Sequence, residues 1–283
     1  MQSKSLQSFP DWQSWLHENL ARNCNRNELA EILVSNHFSR ASIAQEMVSW
    51  DSNKNDPIGR PEEPNSNKRF HRSATSLANP DSGHIVFKLN SETVELYLIE
   101  NFLTPQECEL VMSIGDRVLR PSTVTVNNGD NAFRTSSTAD LGWLEYPAMA
   151  QIDEKICGAL GIPMTYAETT QVQKYEVGQQ FKLHTDYFEP GTSEYKNFAE
   201  ERGNRTWTFM VYLNNVTEGG ETYFSLLNHA FVPRQGQAVV WNNRLHNGDV
   251  NFQTLHAGMP VRKGEKYVIT KWFREFPLGD TRR

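Results

Sequence analysis

The second half of the chain carries a series of short segments that are rich in β-branched and aromatic residues and are separated by Gly, Asn and Pro. An earlier stretch, IVFKLNSETVELYLIENFL, holds two similar runs around the turn signal Asn90-Ser91. Many short strands joined by turns predict a β-sandwich or a jelly roll. The later segments are TQVQKYEV, QQFKLHTDYF, TWTFMVYLN, TYFSLL, QAVVWN and KYVITKWFREF.

Helical signals flank these strands. Residues 9–50 contain apolar residues at helical spacing and predict two or three short helices, with N-caps at Asn27 and Ser39. Residues 104–107 (TPQE) form a capping box with Pro at the first helical position, and a further helix is expected around residues 147–160. We therefore predict a mainly β fold with flanking helices.

A polar stretch rich in Pro, Asn and Ser separates the helical region from the strands. It has no sustained apolar period, which is typical of a linker or of an arm on the surface. We therefore divide the chain into a helical N-terminal region (1–50), a linker or arm (51–84) and a strand-rich domain (85–283).

Composition bears on which partners the protein binds and on the cellular compartment in which it is expected. The formal net charge is −6 and no stripe of Lys and Arg is present, which argues against nucleic acid. No apolar run has the length of a membrane span, and no secretory signal is visible at the N-terminus. Cys24, Cys108 and Cys157 are far apart and odd in number, so they predict free thiols and a cytoplasmic protein.

The sequence KLHTDYF places His184 two residues before Asp186. In a strand these two side chains share a face, but two ligands do not make a metal site. Candidates for a third ligand are His229, His246 and His256, because the other histidines lie in the helical region or the linker. Two His and one carboxylate that leave three positions open are the ligand set of non-haem Fe(II) oxygenases, whereas zinc is more often four-coordinate.

Four motifs in order make the comparison specific. YEVGQQFKLHTDYF resembles the YxxGxxxxxHxD segment of the prolyl 4-hydroxylase type of 2-oxoglutarate-dependent Fe(II) dioxygenases. RTWTFMVYLNNVTEGGETYF is similar to RxxTxxxYLN followed by GGxTxF, PRQGQAVVWNN to PxxGxAxxW, and LHAGMPVRKGEKYVITKWF to LHxGxPVxxGxK. The resemblance covers about residues 95–275. Met259 stands where the family usually has Cys, and Tyr267 where it has Trp.

The resemblance implies a double-stranded β-helix, or jelly roll, with Fe(II) bound by His184, Asp186 and His256. It also implies that Lys266 binds the distal carboxylate of the cosubstrate 2-oxoglutarate, since a compact cation on a long stem suits an anion at the end of a pocket. Ascorbate is expected as a reductant. The resemblance further implies that Tyr175 donates its phenol to 2-oxoglutarate; a core tyrosine with a satisfied hydroxyl is the alternative.

Further roles concern the pocket wall. Thr222 and Thr270 are expected beside 2-oxoglutarate, because strand alternation places Thr270 on the face of Lys266, whereas Lys271 should face solvent. The candidate substrate-contacting residues are Arg134, Arg205 and Trp241. A surface salt bridge is the alternative for Arg134, and a core role is the alternative for Trp241.

The implied reaction is hydroxylation of an unactivated C–H bond through an Fe(IV)-oxo species, with release of succinate and CO2. A prolyl residue in a peptide or protein is the leading substrate. Alternatives are a hydroxylase of a free amino acid or a natural-product peptide, and, from another class, a non-catalytic peptide-binding module on the same fold. The motifs leave the substrate and the oligomeric state open.

Overall fold

The computed structural model of the chain describes residues 4–21, 26–53, 77, 84–122 and 133–278, so most of the predicted linker 51–84 lies outside the described residues. By its internal packing the chain divides into two units. One comprises Met1–Asn65 and Glu189–Asn197, and the other comprises Ser66–Phe188 and Phe198–Arg283.

The first unit contains the three N-terminal helices, α1 (Pro10–Ala21), α2 (Arg26–Ser35) and α3 (Arg40–Asn53), which confirms the helical prediction. Ser39 caps α3 as expected, because its hydroxyl accepts a 3.1 Å hydrogen bond from the backbone N–H of Ser42. The predicted cap at Asn27 is wrong, because α2 begins one residue earlier and Asn27 lies in its first turn. Apolar residues from the three helices form a small buried core, including Leu16, Leu20, Leu29, Leu33 and Ile43.

The second unit is built on antiparallel sheets. The larger sheet has eight strands in the spatial order β1 (Ile85–Lys88), β2 (Leu96–Glu100), β11 (Ala238–Asn242), β7 (Arg205–Tyr212), β14 (Lys266–Arg274), β5 (Gln171–Tyr175), β4 (Ser137–Asp140) and β3 (Arg120–Pro121). A four-stranded sheet has the order β10 (His229–Phe231), β9 (Thr222–Phe224), β12 (His256–Gly258) and β6 (Phe181–His184). A small third sheet pairs β13 (Val261–Lys263) with β8 (Glu218–Gly219).

Helices α4 (Pro105–Gly115) and α5 (Met149–Leu160) match the two helices predicted between the strands. The capping box is present: the Glu107 backbone N–H donates to the Thr104 hydroxyl at 3.2 Å, and the Thr104 N–H donates to the Glu107 carboxylate at 2.7 Å. A short helix, α6 (Ser193–Ala199), follows the segment of Asp186. Among the described residues, no helix is long and apolar enough to cross a membrane.

Two apolar cores lie on opposite faces of the eight-stranded sheet. One core joins the sheet to α4 and α5, for example through Val111, Ile156 and Ile269. The other joins it to the four-stranded sheet, for example through Met210 and Phe224. Because every residue of the nine-residue strand β14 is buried, both faces of this strand are covered. The two sheets and the core between them confirm the jelly-roll prediction, and this inner core surrounds the site.

Candidate active site

The register of β6 and β12 brings two histidines together. His184 ends β6 and pairs directly with His256, which begins β12, so that their ring centroids lie 4.3 Å apart. Asp186 lies two residues after His184, beyond the end of β6. The sequence analysis had predicted both residues on one face of the same strand. One ligand atom from each of the three residues lies within 4.8 Å of the others. A bend after the strand, rather than strand alternation, therefore brings Asp186 to the histidines.

Backbone carbonyls fix the tautomers of both histidines. The Nδ1 atom of His184 lies 2.7 Å from the carbonyl oxygen of Lys182, and Nδ1 of His256 lies 2.8 Å from that of Thr254. Since a carbonyl can only accept, each Nδ1 carries the hydrogen and each Nε2 keeps a free lone pair. Burial, with the nearby His256, lowers the pKa of His184 to about 3, and burial also lowers the pKa of His256. Both rings are thus neutral, and each offers the lone pair of its Nε2 atom, as a metal ligand requires.

The carboxylate of Asp186 is buried, and its two oxygens have different surroundings. Oδ2 accepts a 2.7 Å hydrogen bond from the Thr208 hydroxyl, whereas Oδ1 lies 3.9 Å from Nε2 of His184. Burial alone would raise the pKa of Asp186, but its polar surroundings, which include Arg205 and the Thr208 hydroxyl, hold it below its usual value. The group is therefore a charged oxygen donor beside two neutral nitrogen donors.

Aromatic side chains hold both imidazole rings in place. Phe181 stacks on His184 with ring centroids 3.5 Å apart. Phe224 stacks on His256 at 5.3 Å, and Trp241 contacts the same ring edge-on at 4.9 Å. Packing on these apolar neighbours restricts the rotamers of the imidazoles, so their Nε2 atoms are oriented before any ligand binds.

The three residues open into a pocket of about 390 Å³, its mouth included. Lys266, on the central strand β14, is 2% exposed and reaches into this pocket. Its Nζ lies over the rings of Tyr175 and Tyr212, 5.2 and 5.5 Å from their centroids, and has no hydrogen-bond acceptor among the described residues. Burial lowers the pKa of Lys266 to about 7. The charge of Glu221 opposes this shift, but Glu221 forms no ion pair with Lys266, so the ammonium group has no anion in direct contact among the described residues.

The predicted cosubstrate residues all line the same pocket. Tyr175 is the direct strand neighbour of Lys266, and its hydroxyl donates to Gln173 at 2.8 Å. Gln173 in turn donates to the Thr270 hydroxyl at 3.2 Å, and Thr222 accepts a 2.7 Å hydrogen bond from Tyr212. The sequence analysis did not identify Gln173, although it is two residues from Tyr175 and shares its strand face.

Lys271 corrects one prediction. It was expected to face solvent, but it is 1% exposed, and its Nζ forms a 2.9 Å ion pair with Asp153 of α5. The same ammonium group donates to the carbonyl of Glu168 and the hydroxyl of Thr170, both at 3.1 Å. Strand alternation correctly placed Lys271 opposite Lys266, but the opposite face of β14 packs on α5 rather than on water.

The three residues expected near substrate differ in position. Trp241 lines the pocket. Arg134 donates to Gln171 at 2.8 Å and lies 4.9 Å from the centroid of the Phe181 ring, on the segment that enters β4. The surface salt bridge stays an alternative for Arg134.

Arg205 lies behind the pocket wall and not in it. Its guanidinium makes two 2.8 Å hydrogen bonds to Glu168 and donates to the backbone carbonyl of Asp186 at 3.2 Å. It also stacks on Trp272, 3.9 Å from the ring centroid. Trp272 itself lines the pocket and was missed, although it continues the alternation that begins at Lys266.

His229 and His246 stay outside the cluster. Among the described residues, only His184, Asp186 and His256 bring ligand atoms close enough to hold a metal ion. Two neutral imidazoles and one carboxylate fit a divalent iron, and the unpaired ammonium of Lys266 in the same pocket fits the distal carboxylate of a dicarboxylic acid. The residues present thus suit both Fe(II) and 2-oxoglutarate.

Known proteins share this sequence pattern and fold. A family profile described as the 2OG-Fe(II) oxygenase superfamily matches residues 170–274. Prolyl 4-hydroxylase 13 of Arabidopsis thaliana is 33% identical over 199 residues, which are 64% of this chain and 71% of that protein. A putative prolyl 4-hydroxylase of Acanthamoeba polyphaga mimivirus is 33% identical over 182 residues, which cover 63% of this chain and 74% of the relative.

A solved structure agrees with these relatives. The viral collagen prolyl hydroxylase of Paramecium Bursaria Chlorella virus-1, in its 2OG complex, superposes with a TM-score of 0.51 at 25% identity. The match covers 63% of this chain and 95% of the viral chain. With the triad and the lysine in one pocket, the chain belongs to the prolyl 4-hydroxylase type of 2-oxoglutarate- and Fe(II)-dependent dioxygenases.

Proposed function

We propose that the chain hydroxylates prolyl residues in a peptide or protein, with Fe(II) held by His184, Asp186 and His256. When bound, iron supplies the activation of dioxygen, which couples C–H hydroxylation to the conversion of 2-oxoglutarate into succinate and CO2. Relatives of the chain are named prolyl 4-hydroxylases, which supports proline as the residue modified. The protein's own part is to bind, orient and shield the reactants.

In this proposal the residues around Lys266 hold the cosubstrate. Lys266 forms an ion pair with the distal carboxylate of 2-oxoglutarate, which supplies the acceptor that the ammonium group lacks. The phenol of Tyr175, which donates to Gln173 in the structure, exchanges that acceptor for 2-oxoglutarate, and Thr222 and Thr270 offer hydroxyls on the same wall. Apolar neighbours such as Val268 exclude water, which strengthens these charge-assisted hydrogen bonds.

The charges of the pocket support a peptidyl substrate over a free amino acid, and this observation carries the proposed substrate class. Among the lining residues that the structure describes, Lys266 and Asp186 are the charged ones, while the two histidines are neutral. Both charged groups already have roles, toward 2-oxoglutarate and iron. A free amino acid would need a further cation for its carboxylate and a further anion for its amine, whereas a prolyl residue within a peptide carries neither charge.

The test is succinate formation with a panel of acceptors. The purified protein receives Fe(II), 2-oxoglutarate and ascorbate, together with a poly-proline peptide, a matched peptide with Ala in place of Pro, free proline, free lysine or free arginine. We expect succinate above the substrate-free rate only with the proline peptide, which should gain the mass of one oxygen atom. Stimulation by a free amino acid without stimulation by the peptide would overturn the proposal.

A further inference from the structure

A chain of hydrogen bonds continues from Asp186 into the wall of the eight-stranded sheet. Thr208 of β7 donates to Oδ2 of Asp186 at 2.7 Å, and the side-chain amide of Asn243 donates to the Thr208 hydroxyl at 2.9 Å. Thr208 and Asn243 are both 0% exposed. Neither residue lines the pocket, so any role in the reaction must pass through Asp186.

The direction of each bond in this chain is fixed. A charged carboxylate only accepts, so the single hydroxyl hydrogen of Thr208 points at Asp186. The lone pairs of Thr208 then require a donor, and only the NH2 group of the Asn243 amide can supply it. This orientation leaves Oδ1 of Asn243 buried without a hydrogen-bond donor among the described residues. Such an unsatisfied atom carries a cost that calls for an explanation, and orienting Thr208 is one.

The sheet holds both residues rigidly. Asn243 follows directly after β11, and its backbone N–H donates to the carbonyl of Thr206 on β7 at 2.7 Å. β11 and β7 are neighbouring strands in the middle of the sheet. The hydrogen-bond donor to Asp186 is therefore set by strand pairing, and it does not depend on the bend in which Asp186 itself lies.

We propose that Thr208 and Asn243 are positioning residues that hold Asp186 as a one-oxygen metal ligand. With Oδ2 engaged by Thr208, only Oδ1 faces the histidine nitrogens. A carboxylate that bound through both oxygens would occupy a coordination position which cosubstrate or dioxygen needs. The inference rests on the proposed function, in which Asp186 binds iron, and it adds the residues that set how Asp186 binds.

The test is titration of the full-length protein with Co(II), whose visible absorption follows its coordination number. Thr208→Val removes the hydroxyl at nearly constant volume and should weaken Co(II) binding by roughly 10- to 100-fold, as loss of a group that orients a ligand does. Its absorption spectrum should also differ from wild type. Thr208→Ser should restore both, and Asn243→Ala should cause a smaller loss in the same direction.

Thr206→Val is the matched control. Thr206 lies two residues from Thr208 on the same buried strand face, but its hydroxyl donates to the backbone carbonyl of Phe273 at 3.1 Å. We expect wild-type affinity and spectrum for this variant. Should Thr208→Val not fold, as judged by circular dichroism, Thr208→Ala takes its place.

The outcomes separate the two proposals. Co(II) binding that survives His256→Ala would overturn the metal assignment itself. If His256→Ala abolishes binding while Thr208→Val matches Thr206→Val in affinity and spectrum, the metal assignment stands and the positioning role is refuted. Unchanged affinity in Asn243→Ala would remove Asn243 from the pair.

Discussion

Replacing Lys266 by Met tests the buried ammonium group of the pocket. Burial lowers the pKa of this lysine from 10.5 to about 7, which at 1.36 kcal/mol per pH unit disfavours the charged form by about 5 kcal/mol. Without an anion this penalty is fully present below pH 7 and is lost as the pH rises from about 7 to 10.5, because only the unfolded state then stays protonated. Met has a similar length and no charge, so Lys266→Met should raise the free energy of unfolding of the unliganded protein at pH 6.

The same substitution should weaken 2-oxoglutarate binding. The carboxylate would lose a charge-assisted interaction worth about 1.5–3 kcal/mol, or roughly 10- to 150-fold in affinity. Wild-type affinity should also fall as the pH rises above 7, by up to about tenfold per pH unit, because the free lysine must first take up a proton. Lys266→Met should show no such pH dependence.

The measurement is calorimetric titration of 2-oxoglutarate into Mn(II)-loaded protein between pH 6 and 9, with thermal melts of the unliganded forms. Lys174→Met is the matched control, because Lys174 lies on the neighbouring strand, pairs with Glu265 at 3.1 Å and does not line the pocket. Equal effects of the two substitutions on 2-oxoglutarate affinity would refute the role of Lys266. A wild-type affinity that stays constant from pH 6 to 9 would refute the lowered pKa.

Three other outcomes are expected. His256→Ala should abolish Fe(II) binding and succinate formation, whereas His246→Ala, at an exposed position, should leave both intact; loss of iron in His246→Ala would contradict the ligand assignment. Lys271→Met leaves the carboxylate of Asp153 buried without its cation, so the free energy of unfolding should fall by about 3–5 kcal/mol in denaturant titrations, and a loss below 1 kcal/mol would be inconsistent with a buried pair. Deleting residues 1–84 should lower the melting temperature if they stabilise the catalytic domain, or raise the KM for peptide with uncoupled turnover unchanged if they recruit substrate; no change in either would exclude both roles.

Local signals in the sequence predicted most of the secondary structure. The capping box at residues 104–107 specifies its own hydrogen bonds, and the observed helix begins where it predicts. The caps at Ser39 and Asn27 looked equivalent, yet only Ser39 lies at a helix boundary. Ser and Asn side chains accept from a free N–H wherever a helix begins, so composition does not fix the boundary to a single residue.

The site was predictable as far as its motifs extend. His184, Asp186 and His256 could be named from the sequence because the family motifs include them, and the structure brings them together. Thr208 is the Thr of the RxxTxxxYLN motif, but the motif did not show what its hydroxyl contacts, and Asn243 lies outside the four motifs. Their contact depends on the pairing of β7 with β11, which joins side chains 35 positions apart in the sequence.

The two lysines of β14 show why burial alone does not identify a functional charge. Both are almost completely buried, on opposite faces of one central strand, and alternation predicted only that the faces differ. Lys271 already has Asp153 at 2.9 Å, so its charge is compensated within the fold. Lys266 has no hydrogen-bond acceptor among the described residues, and only the more distant charge of Glu221 favours its ammonium form, so it gains a direct partner only when an anion enters. Removing the charge of Lys271 should therefore destabilise the unliganded protein, because it breaks an ion pair. Removing the charge of Lys266 should stabilise the unliganded protein, because it removes the desolvation penalty of a buried ammonium group.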